Sequence, residues 1–306
     1  MEEDPLLSRL DLNLLVSLDA LLRERNVTRA AERLYLSQPS LSTALARLRV
    51  HFDDELLARR GNTYELTPLA TRLLEHTTVA LSTVRRVFES QARWNAGEST
   101  REFTIHGSDY ALATIAPLVS RAARAEAPGV RFRFVPTSSP AIDDVIVRLA
   151  SLDGILLPHG IVKDRPSLDL WRDDWVLLAA ADNPLGDAVP TLADLSALPW
   201  VFTYQTRGAF TAVGRQLEQL GLQPRVEVVA ESFALLHLFV EYTERLALIQ
   251  RKLVPLVTRM GGLRTYELPF EAVPLIEALW WHPAHDNDPG HEWMRGVFSA
   301  AARELD

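Results

Sequence analysis

The sequence contains no cysteine, which excludes disulfide frameworks, thiolate nucleophiles and cysteine-based zinc sites. Lysine is nearly absent, with Lys163 and Lys252 the only two, so arginine carries almost all the positive charge. We read that bias as coding preference rather than chemistry. No stretch approaches the roughly 20 uninterrupted apolar residues that a membrane span needs. The start, Met1-Glu2-Glu3-Asp4-Pro5, is acidic where a secretion signal would be basic. A cytoplasmic chain with no membrane partner is expected. Gly-x-Gly-x-x-Gly and P-loop motifs are missing, so nucleotide-driven chemistry has no foothold and no cofactor is expected. A triad could be drawn from Ser108 or Ser138 with His282 and Asp109, but no Gly-x-Ser-x-Gly supports it, and no catalytic residue is expected.

What is present is a 306-residue chain, 47% apolar and 24% charged, enough for at least two domains. Its net charge of −8 argues against indiscriminate binding to polyanions, yet phosphate contacts need only one basic face. Leu12 to Glu24 carries leucines at helical spacing behind Asp11, a plausible N-cap. Asn26 can cap a short second helix, Val27 to Leu34, whose Ala30 and Ala31 allow a close helix crossing. Ser37 caps a third helix with Pro39 in its first turn, and Leu41, Leu45, Leu48 and Phe52 form its buried stripe. Residues 59–66 alternate around Gly61-Asn62 and read as a hairpin, or wing.

Thr67-Pro68 opens a long helix to about Ser90. Along it Ala70, Leu74, Thr77, Leu81, Val84 and Phe88 are spaced 4, 3, 4, 3, 4, a heptad seam. With little of its own chain in reach to cover it, that seam predicts dimerisation. A polar stretch, 93–100, reads as a hinge. Beyond it strand-like and helix-like runs alternate, implying an α/β region with a mainly parallel sheet, and Pro166 to Asp169 and Leu268 to Glu271 read as crossovers between two lobes. A cleft between lobes would take a small ligand.

From Arg25 to Arg49 there are five arginines against one acid, Glu32, in an otherwise acidic protein. Short polar side chains at the start of the third helix, followed by Arg47, suit a recognition helix entering the major groove. By residue chemistry alone, an ordinary three-helix packing unit with a solvated arginine face accounts for the same pattern.

The stretch from Val27 to Arg49, with Leu34-Tyr35-Leu36-Ser37-Gln38-Pro39-Ser40 at its centre, resembles the helix-turn-helix of LysR-type transcriptional regulators. The likeness continues through Leu56-Leu57-Ala58-Arg59-Arg60 and Leu66-Thr67-Pro68-Leu69-Ala70. It implies an all-α winged helix-turn-helix domain (1–67), a linker and dimerisation helix (68–92), a hinge (93–100) and an α/β effector region (101–306) of two periplasmic-binding-protein-like lobes. Lobe I would be about 101–167 and 269–306, and lobe II about 168–268. Operator DNA would meet base-reading Gln38, Ser40 and Thr43, with Pro39 in the same turn, while Thr28, Arg29, Ser37, Ser42, Arg47, Arg49, Arg59 and Arg60 hold the backbone. A homodimer or homotetramer, a small-molecule inducer and contact with RNA polymerase are also implied.

Ligands of open α/β sheets sit beyond strand ends. This nominates Ser108, Asp109, Tyr110, Thr137, Ser138, Ser139, His159, Thr203, Tyr204, Arg207, Ser232, Phe233, Trp281 and His282 as effector-binding. The segment Trp280-Trp281-His282-Pro283, with Asp288-Pro289 and Glu292-Trp293-Met294-Arg295, resembles the branch of nodulation and aromatic-catabolism activators, whose inducers are flavonoids and aromatic acids. An aromatic or phenolic inducer is implied, with Arg207 for a carboxylate and Tyr204, Phe233 or Trp281 for rings. His282, His285, Asp286, Asp288 and His291 match no closed metal site, so Asp288-Pro289 reads instead as a helix cap and no metal is expected. A two-lobed solute-binding or sensor protein, or an enzyme using the α/β region with the N-terminal domain as an interaction module, are the alternatives.

Overall fold

Local capping sets the elements of the N-terminal region. Asp11 accepts a hydrogen bond from the Asn13 amide and begins α1 (Leu12–Glu24), Asn26 accepts from Arg29 and begins α2 (Val27–Arg33), and Ser37 accepts from Ser40 and begins α3 (Gln38–Phe52). Each cap satisfies an amide that has no partner inside its own helix. The wing is an antiparallel pair, β1 (Leu57–Arg60) and β2 (Thr63–Leu66). Thr67 caps α4 (Pro68–Glu89), its hydroxyl accepting from the Ala70 amide at 3.0 Å. This computed structural model describes residues 11–60, 63–89, 94–137, 149–203, 212–259 and 261–305. The expected wing turn Gly61-Asn62 and most of the expected helix 141–150 lie outside them.

The chain divides into two units, Met1–Gln91 and Ala92–Asp306. The core of the first is Leu18, Leu21, Leu22, Ala30, Ala31, Leu41, Leu45, Leu48, Leu56, Leu57 and Ala70. The expected leucine stripe of α3 and the small residues of α2 are therefore where the helices meet. Here the seam expectation needs a correction. Ala70 is fully buried in this core, Leu74 packs against it, and Arg23 of α1 donates to Thr78. At 13 residues, α1 spans about 20 Å, enough to cover the first turns of α4 from within the chain.

Among its described residues the second unit holds two larger sheets and a two-stranded one. The first has the order β4-β3-β5-β12-β6, from β3 (Glu102–Gly107), β4 (Arg131–Pro136), β5 (Gly154–Pro158), β6 (Ser167–Asp173) and β12 (Leu275–Trp280). β3 runs parallel to β4 and β5, while β12 runs antiparallel to both its neighbours. The second sheet joins β7 (Trp175–Ala180), β10 (Ala247–Gln250) and β11 (Leu263–Tyr266), with β7 antiparallel to both partners. β8 (Pro199–Thr203) and β9 (Arg225–Ala230) pair in parallel and connect to it through a bridge between Trp200 and Leu246. Each larger sheet thus has one reversed strand, and in both cases it is the strand that has just arrived from the other sheet. The expected mainly parallel pairing therefore holds for β3 with β4 and β5 and for β8 with β9, while β12 and β7 are antiparallel to their neighbours.

The stretch Pro166–Asp169, read as a crossover, instead begins β6, which continues to Asp173. The alternation of Leu168, Leu170 and Trp171 with Ser167, Asp169 and Arg172 carries the strand, and the passage between sheets falls at Asp174. Helices α5 (Asp109–Glu126), α6 (Leu192–Ala197), α7 (Ala212–Gln219), α8 (Leu236–Val240), α9 (Val254–Val257) and α10 (Pro289–Ala302) complete the unit. Asp288 caps α10 as expected, and Arg101 grips the same carboxylate through Nη1 at 2.8 and 2.9 Å. In the stretch read as a hinge, Trp94 packs against Phe103 and Trp293.

Candidate functional site

Each unit presents one candidate site. On the first unit, Thr28, Arg29, Ser37, Gln38, Pro39, Ser40, Ser42, Thr43, Arg47, Arg59 and Arg60 are exposed. Thr43 and Arg47 lie one turn apart along α3, as do Gln38 and Ser42, because α3 spends its leucines on the opposite face. Ser37 and Ser40 share a 2.7 Å hydroxyl contact at the helix start. Thr43 donates to the Pro39 carbonyl, and Arg47 reaches Asp11 at 3.3 Å. Arg49 differs from the rest. It is half-buried, and its guanidinium donates to the carbonyls of Glu55 and Leu57 and pairs with the Glu55 carboxylate at 3.0 Å. It straps the end of α3 to the start of the wing.

The second unit contains a cavity of about 360 Å³ lined by both sheets. From the first sheet and its loops come Ser108, Tyr110, Thr137, Leu157 to Ile161 and Val273 to Glu277, and from the second come Trp175, Ala212, Arg215, Phe233 and Gln250. Three rings converge on it, with Phe233 edge-on to Tyr110 at 6.4 Å between centroids and tilted to Trp175 at 6.1 Å. The Tyr110 hydroxyl donates to Asp173 at 2.6 Å and accepts from the Trp171 indole at 2.8 Å. Burial, reinforced by the Asp173 charge, raises the Tyr110 phenol far above its ordinary range. Asp173 also accepts from the Lys252 amide, so a single carboxylate beside the chain crossing ties β6 to the segment after β10.

Five expected effector residues line this cavity: Ser108, Tyr110, Thr137, His159 and Phe233. Ser108 also caps α5, and His159 contacts Asp169 at 2.6 Å. Five others lie outside its lining. Asp109 accepts from the Ser232 hydroxyl at 2.6 Å and from the amides of Phe233 and Ala234, so Asp109 and Ser232 fasten one lobe to the other. Thr203 ends β8 against a smaller void. Trp281 donates to Asp286 under the Arg295 guanidinium, and His282 caps the turn that follows. Ser138, Ser139, Tyr204 and Arg207 lie outside the described residues. The histidines of the rejected metal reading serve packing: His285 and His291 stack at 4.6 Å and donate to the carbonyls of Leu152 and Asp153.

Sequence reasoning missed Trp175, Arg215, Gln250 and Glu277. Glu277 is 1% exposed, and burial together with neighbouring Asp173 pushes its carboxyl up to about 8. A signal existed, since a glutamate in the otherwise apolar run Leu275 to Trp281 would be costly to bury without a purpose. Gln250 is also 1% exposed, and closes an apolar strand in the same way.

Residues 12–71 match the family of bacterial regulatory helix-turn-helix proteins, lysR family, and residues 96–303 match the LysR substrate binding domain. Nodulation protein D 2 of Rhizobium tropici is 34% identical over 289 residues, covering 94% of this chain and 91% of that protein. The crystal structure of a "probable transcriptional regulator" from Pseudomonas aeruginosa superposes with a TM-score of 0.74 at 31% identity, covering 97% of this chain and 98% of that one. A full-length regulator solved with its target DNA shares the fold, with a TM-score of 0.68 at 16% identity, covering 97% of this chain and all of the other. The chain therefore belongs to the LysR family and is a DNA-binding transcriptional regulator with an effector-binding domain.

Proposed function

We propose that the chain acts as a dimer, or as two dimers, that reads operator DNA through α3 and the wing and is switched by an aromatic inducer held between the lobes. The observation that supports the inducer's class is the convergence of Tyr110, Trp175 and Phe233 on one cavity. Aromatic faces stack on aromatic ligands at the expense of little conformational freedom. In this reading Gln38, Ser40 and Thr43 meet base edges, while Thr28, Arg29, Ser37, Ser42, Arg47, Arg59 and Arg60 meet phosphates. The dimer seam is the later part of α4, from Leu81 and Val84 to Phe88, since Ala70 and Leu74 are already packed inside the first unit.

RNA polymerase is the further partner, met on the operator. The protein works in the cytoplasm beside its DNA, and it does not turn over its ligand. Among the described residues no helix is long and apolar enough to cross a membrane. The test is selection of random duplex DNA by the purified protein, followed by affinity across a salt series. The expected product is a dyad-symmetric site with half-sites about one helical turn apart and a log–log salt slope of several. No enriched site, with weak binding at low salt only, would overturn the reading of α3.

A further inference from the structure

The chain leaves α2 through a left-handed turn. The Leu36 amide donates to the Ala31 carbonyl at 2.9 Å and the Tyr35 amide to that of Glu32 at 3.1 Å, which satisfies two carbonyls at the end of the helix. This closure needs a left-handed residue, and Tyr35 supplies it with φ 55°. Glycine is the usual occupant and asparagine the next, because the Cβ of a bulky residue crowds the backbone in this conformation. Three other described residues of the first unit are left-handed. Arg25 and Asp53 close α1 and α3 and hold charged side chains in water, while Leu56 is fully buried, where packing offsets the strain. Tyr35 is aromatic and 97% exposed, so packing within its own chain offsets little. Strain retained without internal compensation points to a role in function.

The place of the ring indicates what meets it. Tyr35 stands two residues before Ser37, the cap of α3, in the turn that joins the two helices of the DNA-binding motif. In such a motif the second helix enters the major groove by its N-terminal end while the first crosses the backbone, so the turn between them lies over the sugar–phosphate strand at the groove's edge. Tyrosine is among the side chains that hydrogen-bond phosphate there.

We propose that Tyr35 is a DNA-positioning residue whose ring packs against the sugar–phosphate backbone at the edge of the groove and whose hydroxyl donates a hydrogen bond to a phosphate oxygen. This rests on the reading of α3 and the wing as the operator-reading face. The two amide bonds of the turn fix the backbone that presents the ring, so little freedom is lost when DNA arrives. The contact is neutral, unlike those of the arginines around it. Tyr35 displaces no counterion, and so adds to affinity without adding to its salt dependence. It touches no base edge, and so holds every sequence alike while setting how far α3 enters the groove.

The experiment uses the full chain with Tyr35→Phe and Tyr35→Asn. Binding is read by fluorescence anisotropy, across a salt series, on a labelled duplex carrying the site that the wild-type protein selects and on the same duplex with that site scrambled. Asparagine suits the left-handed turn better than tyrosine does, so Tyr35→Asn should melt at or above the wild-type temperature while its affinity falls about tenfold on both duplexes. A role confined to the fold would move stability and affinity in the same direction. Tyr35→Phe keeps the ring without the donor and should lose about fivefold on both duplexes. The log–log salt slope should stay at the wild-type value in each variant. Wild-type affinity in Tyr35→Phe would overturn the proposal whatever Tyr35→Asn does. So would a loss confined to the selected duplex, which would make Tyr35 a reader of bases, or a salt slope lowered by about 1, the mark of a lost cationic contact. If the wild-type protein selects no site, the operator reading of α3 falls first and the proposal with it.

Discussion

The two units treat their polar groups in opposite ways. In the N-terminal unit the helix starts are satisfied within a few residues, Asp11, Asn26, Ser37 and Thr67 each capping the helix they precede, and the ion pairs lie at the surface. In the effector unit polar groups are carried inside. Thr137, Gln250 and Glu277, all lining residues of one cavity, each keep a buried side-chain oxygen without a hydrogen-bond partner, and the Tyr110, Trp171 and Asp173 side chains form a buried chain of hydrogen bonds. A surface that reads DNA can leave its functional groups in water until the partner arrives. A pocket that reads a small molecule has to bury them first, and carries the cost in stability. The difference is one between polar groups satisfied locally at the surface and polar groups carried into the interior.

The largest effect on operator binding is expected where the first unit is overpacked. Ala30→Leu places a larger side chain where α2 meets its neighbours, at a position with no exposure, and should cost about 1–3 kcal/mol. Operator binding should fall with it, while titration of the cavity with an aromatic probe, 4-phenylphenol, read by tryptophan fluorescence, stays unchanged.

A charge change sharpens the second half. Glu277 has a folded pKa near 8 against an ordinary 4.5, so between those values the unfolded chain has lost a proton that the folded chain retains. Its contribution to stability therefore falls as pH rises from 4.5 through 8 and is constant above. Glu277→Gln removes that dependence and should be the more stable protein at pH 9 by several kcal/mol, on the order of 5, with the gap closing by pH 5. Thermal melts at the two pH values check this. His291 acts at the other end. Burial, with His285 beside it, holds its imidazole down to about 3, so the native state loses stability as pH falls from 6.5 toward 3.

Smaller effects separate two arginines that look alike in sequence. Arg49→Ala should cost about 1 kcal/mol of stability, because its guanidinium straps backbone carbonyls, and should change the salt slope of operator binding little. Arg47→Ala should leave the melting temperature nearly unchanged and lower that slope by about 1. Reversed outcomes would exchange their roles.

These cases show why legibility differs between the units. The reader is built from one continuous segment, and the residues that cap its helices are adjacent to those they cap, so Asp11, Asn26, Ser37 and Thr67 could all be found from spacing. Arg49 could not be told from Arg47, because what distinguishes them is a fold-back of the chain onto Glu55 and Leu57. The strands of the second unit were visible as apolar runs, but its cavity is lined by positions from Ser108 to Glu277 and by both lobes. Looking just beyond strand ends found Ser108, Tyr110, Thr137, His159 and Phe233. It passed over Gln250 and Glu277, which sit within strands, and it included Asp109 and Ser232, which turn out to fasten the lobes. Trp281 and His282 follow a strand end as well, but on the side where they hold the turn into α10.

A ligand-switched regulator requires coupling between the cavity and DNA binding, and one measurement addresses that coupling directly. The dissociation constant of 4-phenylphenol is measured by tryptophan fluorescence with and without the selected operator, and that of the operator with and without saturating 4-phenylphenol. Linkage requires the two ratios to be equal, and the account predicts that both differ from one by about fivefold or more. Ratios of one in both titrations would mean that the cavity and the helix face occupy one chain without a binding-coupled switch between them, contradicting the account.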